Sequence, residues 1–108
     1  MKRIVISTAA ATALLLAAPM QAALASACQD GANIVRTLVV MKRQDAATTP
    51  ETFLAILRTG QDQGYRPSPE TKTEDDAAMA IIRFALDHVG DGPNNAAASY
   101  YRSCMASN

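Results

Sequence analysis

With one histidine, two cysteines and no tryptophan among its 108 residues, the chain has little material for chemistry. Metal centres gather several His, Cys, Asp or Glu side chains, and His88 with two distant cysteines does not supply such a set. Nucleophilic catalysis needs a base beside the nucleophile. His88 follows Asp87 directly, and consecutive helical residues do not face each other. Asp87, Asp91, Asn94 and Asn95 could gather oxygens, but the alternating spacing of a calcium loop is missing. There is no glycine-rich phosphate cradle and no internal repeat. Ten basic residues balance ten acidic ones, so no basic stripe offers itself to nucleic acid or to an anionic membrane. The expectation is a protein that is not an enzyme and carries no cofactor and no metal.

The start of the chain is rich in what the rest lacks. Lys2 and Arg3 precede an apolar run from Ile4 to Met20, and small residues follow, the layout of a secretory signal peptide. Cleavage is expected after Ala25, with Ala27 as second choice. A retained anchor is the weaker reading, since the apolar run is marginal for a bilayer span and small residues end it. Residues 1–25 are therefore read as signal peptide and 26–108 as a single domain, periplasmic or secreted. The loss of Lys2 and Arg3 leaves 8 basic residues against 10 acidic, a net charge of −2. So short a domain has a thin core and calls for a covalent staple.

Export places Cys28 and Cys104 in an oxidising compartment, where a bridge between them would close nearly the whole domain into one loop. In the chain-entropy model such a bridge contributes about 4 to 5 kcal/mol. Cys28 has a rival reading: Ala25-Ser26-Ala27-Cys28 loosely resembles a lipobox, which would make the protein a lipoprotein anchored through Cys28. Acylation would leave Cys104 an odd thiol.

Four helices are expected. In the first, Cys28 to Arg43, Cys28, Ala32, Ile34, Val35, Leu38, Val39 and Met41 share one side and Val40 points into the polar face. Asp30 and the pair Lys42 and Arg43 suit its dipole. Thr49-Pro50-Glu51 starts the second, with Phe53, Leu54, Ile56 and Leu57 buried and an end near Gly60. Gln61 to Lys72 is a loop holding Pro67 and Pro69, in which Tyr65 and Arg66 form the most recognition-like pair; the plainer reading folds the Tyr65 ring over the core edge. The third helix, Thr73 to Val89, carries apolar residues around about 220° of its circumference and is expected to be the buried central post, capped by Thr73 and three acids and stopped by Gly90. His88 sits near its end, at the edge of a core. The last helix runs from about Asn94 to Met105 and presents Ala97, Tyr100, Tyr101, Cys104 and Met105.

Short connections between four helices favour an all-α, antiparallel four-helix bundle, with the start of the first helix and the end of the fourth at one end. Those are the places of Cys28 and Cys104. Cys28, Met41-Lys42-Arg43-Gln44, Thr49-Pro50-Glu51 and Tyr101-Arg102-Ser103-Cys104 together give a layout that resembles small, exported, two-cysteine helical proteins of Gram-negative bacteria. The resemblance implies a signal peptide and a disulfide joining the first and last helices, and carries no activity. In size and staple the chain is also similar to small periplasmic acid-stress chaperones.

The leading expectation is a protein-binding accessory, inhibitor or immunity-like module that meets another periplasmic protein through Tyr65, Arg66 or an exposed helical face such as that of Val40. The alternatives are a stress chaperone that opens in acid, and a small-ligand carrier with a cavity beside Met79, Ile82 and Leu86.

Overall fold

A computed structural model describes the backbone of residues 2–61 and 64–107 and the side chains of residues 20–61 and 64–107. It is an all-α bundle of four helices: α1 (Lys2–Gln44), α2 (Pro50–Thr59), α3 (Lys72–Asp87) and α4 (Pro93–Ala106). Short 3-10 turns at Pro69–Thr71 and Val89–Asp91 lead into and out of α3.

Local chemistry accounts for the ends of α2. The Thr49 hydroxyl accepts from the Thr52 N–H at 3.2 Å, Pro50 occupies the first turn, and Gly60 closes the helix in the left-handed region at φ 77°. Three other boundaries differ from expectation. Cys28 does not begin a helix, because α1 runs unbroken from Lys2, so Asp30 lies within the helix rather than at its positive end. α3 starts at Lys72 behind the 3-10 turn, which places Thr73 inside the helix. It also ends at Asp87, before Gly90; the glycine with positive φ in that region is Gly92, at 91°.

The larger correction concerns the centre of the fold. Ile82 and Ala85 are the buried apolar residues of α3, Ala77 is exposed, and Ala78, Met79, Ile81, Phe84 and Leu86 are half-buried. The central post is α1, whose Cys28, Ala32, Val35, Leu38 and Val39 are all at most 2% exposed. α4 packs along it and α3 lies beside it, while α2 packs mainly on α3. A helical wheel counts apolar side chains. It does not count the neighbours available to cover them, and a ten-residue α2 covers only one side of α3.

α1 and α4 are antiparallel and are fastened at both ends of their contact. Cys28 and Cys104 form a disulfide with a Cα–Cα distance of 5.6 Å, and Arg36 Nε donates to Asn94 Oδ1 at 3.0 Å. Between these fastenings Gly31 is buried, and a Cβ built on it would lie 2.7 Å from the Tyr100 hydroxyl oxygen and 2.8 Å from the ring carbon that bears it. The missing side chain lets the Tyr100 ring lie against the backbone of α1. That ring meets Phe84 edge-on, 5.3 Å between centroids, and Phe84 stacks on His88 at 4.0 Å, so one aromatic row joins α1, α4 and α3.

Two stability outcomes follow. Gly31→Ala forces the Tyr100 ring outward and is expected to cost about 1–3 kcal/mol in denaturant unfolding, the usual penalty for overpacking. In Cys28→Ser/Cys104→Ser the loss is expected to be about 4 kcal/mol, read from the same unfolding curves.

Candidate functional site

An apolar cleft between α1 and α2, and a polar corner joining α2, the loop after it and α3, could each engage another molecule or respond to conditions. The cleft exists because α2 leans on α3. Ile34, Thr37, Leu38 and Met41 on α1 face Ile56 and Leu57 on α2 across a space of about 220 Å³, with Asn33 at its edge. Ile34, Met41, Ile56 and Leu57 pack against the core and stay half-buried, so their outer surfaces line the opening. A second hollow lined by Met41, Gln44, Asp45, Thr48, Thr52 and Ile56 shares two residues with the first and extends it toward the α1–α2 connection.

The polar corner is built on Asp75, the one charged residue with a buried side chain among those described, at 6% exposure. Its carboxylate accepts from Thr71 Oγ1 at 2.6 Å, from the Tyr65 hydroxyl and from Arg58 Nε at 3.0 Å. Arg58 also pairs with the exposed Glu74, and its guanidinium stands 5.6 Å from the centre of the Tyr65 ring. Hydrogen bonds from Thr71 and then Tyr65 hold the Asp75 carboxyl below the usual carboxylate range, outweighing its desolvation, and Arg58 adds to the effect. Of the three acids read as capping groups, Asp75 turns inward, Glu74 meets Arg58 and Asp76 meets Lys72 at 2.7 Å. No buried polar side-chain atom among the described residues lacks a partner.

Tyr65 is thus half-buried, with its ring against the core and its hydroxyl engaged by Asp75, which is the plainer of the two sequence readings. Arg66 beside it is exposed. Val40 is 37% exposed on the polar side of α1 and is not among the residues that line the apolar cleft. Cys28 and Cys104 are joined to each other. His88 Nδ1 lies 2.8 Å from the Phe84 carbonyl oxygen while Asp87 is exposed, so the structure does not bring the two together as a dyad. Among the described residues no three His, Cys, Asp or Glu side chains converge to hold a metal ion, and no helix is long and apolar enough to cross a membrane.

The role of Asp75 was legible in the pattern of α3, since it sits seven residues before Ile82 and ten before Ala85, on the buried stripe. The reading of three adjacent acids as caps hid it. Comparison with family models, with curated proteins and with solved structures finds no match for this chain.

Asp75→Asn is expected to lower the unfolding midpoint at pH 7. Because the folded carboxyl titrates below its ordinary value, its stabilisation is complete above about pH 4 and is lost as pH falls through the folded value. The gap between wild type and Asp75→Asn should therefore close in stronger acid. In Tyr65→Phe the Asp75 carboxyl is expected to titrate at higher pH, read by side-chain carboxyl NMR.

Proposed function

We propose that this protein is an exported binding module of the periplasm that performs no chemistry of its own, and that it receives apolar side chains of another periplasmic protein in the α1–α2 cleft. The observation that carries this reading is the half-buried set Ile34, Met41, Ile56 and Leu57, four large apolar side chains facing one opening. Grouped apolar surface of this kind costs solubility when unused and is typical of contact sites. The Tyr65 hydroxyl already serves the fold, so the contact moves from the loop to the helical faces, with Arg66 and Val40 left as exposed flanking positions.

Export is supported by the leader, with Lys2 and Arg3 before an apolar run and small residues after it. Ala23, Ser26 and Ala27, around the two candidate cleavage sites, are exposed. A disulfide at Cys28 favours a soluble periplasmic form over a lipid-anchored one.

An acid-opened chaperone is the second reading, and Asp75 favours it. Protonation of this carboxylate would release Arg58, Tyr65 and Thr71 together and free the loop from α3. Its lowered titration confines that opening to strongly acidic conditions. Ellipticity and hydrophobic-dye binding that stay flat from about pH 7 to pH 2 would remove this reading.

A photo-reactive phenylalanine placed at Thr37, on the wall of the cleft, tests the leading reading in cells expressing the protein at native level. It is expected to crosslink to one partner, while the same group at exposed Arg83 on α3 does not. Crosslinking at Thr37 that yields only the uncoupled chain, or a pattern shared with Arg83, would contradict it.

A further inference from the structure

The other side of α1 carries a cleft of different chemistry. Between α1 and α4, Gln29, Arg36, Asn94, Tyr101 and Arg102 surround a space of about 310 Å³. Its remaining wall is Ala32, Ala97 and Ala98, whose small side chains give it depth. No acidic residue lines it.

Neither of its two arginines pairs with a carboxylate among the described residues, a condition they share with Lys42, Arg43, Arg66 and Arg83. Arg58 and Lys72 are neutralised by carboxylates. Arg36 instead donates through Nε to Asn94 Oδ1 at 3.0 Å and through Nη1 to Asn33 Oδ1 at 2.8 Å, which fixes the guanidinium without cancelling its charge. Arg102 donates to Ser99 Oγ at 3.3 Å. Among the described residues neither arginine has an acidic partner, and the Tyr101 hydroxyl has no hydrogen-bond partner. Two like charges thus border one hollow that no acidic side chain lines, and a carboxylate or phosphate is the group that suits them.

The cleft is also held in shape. The Cys28–Cys104 disulfide fastens its two walls at one end, and the Arg36–Asn94 bond fastens them at the other. An anion entering it meets an Arg36 guanidinium already held in place, which spares part of the ordering that binding requires.

We propose that the α1–α4 cleft is a binding site for a small organic anion. The carboxylate or phosphate of the ligand bridges Arg36 and Arg102, with the Tyr101 hydroxyl as a further donor. Its apolar body lies on Ala32, Ala97, Ala98 and the Tyr101 ring. This site is separate from the α1–α2 cleft and does not rest on the reading given to that cleft.

The test is an NMR titration of the oxidised protein with phenyl phosphate, benzoate and inorganic phosphate, following the Arg36 and Arg102 Nε–H signals. Saturable shifts of both signals are expected below about 10 mM phenyl phosphate or benzoate, with inorganic phosphate at least about tenfold weaker. Arg36→Gln and Arg102→Gln should each weaken phenyl phosphate binding about tenfold or more, and Arg83→Gln should leave it unchanged. Ala98→Leu, which fills the hollow without touching a charge, should weaken it as well, and unfolding midpoints of all variants confirm that the fold is kept. Shifts that never saturate, folded arginine variants that bind like the parent, or equal affinities for phenyl phosphate and inorganic phosphate would overturn the proposal.

Discussion

Between Cys28 and Val39 one face of α1 is sealed from water by its neighbours, and the other elements take their positions from that face. Cys28, Ala32, Val35 and Val39 recur at intervals of three and four residues, and Leu38 broadens the stripe. A domain of this size has a narrow margin of stability, so it depends on one well-covered helix rather than on a large interior. The close approach of α4 is what makes that cover possible. It is set by the disulfide at Cys28, by the absence of a side chain at Gly31 and by the Tyr100 ring that occupies the vacated space.

What surrounds α1 follows from the unequal lengths of the other helices. α3 and α4 are long enough to lie along it, whereas α2 has ten residues and is tied to α3 through Phe53, Leu54 and the Arg58–Asp75 pair. The chain thereby keeps α2 from closing against α1, and the apolar cleft is the gap that remains. On the opposite flank the alanines of α4 bring backbone near backbone without filling the space between, which leaves a hollow whose chemistry is set by Arg36, Arg102 and Tyr101. One helix therefore presents an apolar opening on one side and a cationic one on the other. The polar corner at Asp75 is of another kind. Its buried polar atoms are all matched, so it serves to hold the loop to α3 rather than to receive a ligand.

Much of the architecture could be read before any coordinates. Thr49, Pro50 and Gly60 mark α2 through short-range chemistry that depends on nothing distant, and the cysteines at the two ends of an antiparallel bundle required their helices to meet. The identity of the central helix could not be read this way. The apolar residues of α3 outnumber the neighbours that can cover them, and coverage is a property of packing, not of periodicity. Gly31 was hidden for a similar reason, because a glycine inside a helix looks like a local weakness until the ring that lies on it is known. The α1–α4 cleft draws residues from both ends of the domain, 58 positions apart in the case of Arg36 and Asn94, and nothing in local spacing joins them.

Amide hydrogen exchange tests most directly whether α1 is the element on which the bundle is built. The slowest exchange is expected at Val35 to Val39, at rates set by global unfolding, with α2 and the outer turns of α3 opening earlier. Slowest exchange centred on Ile82 to Leu86, with Val35 to Val39 exchanging through local openings, would contradict this account and return the central place to α3.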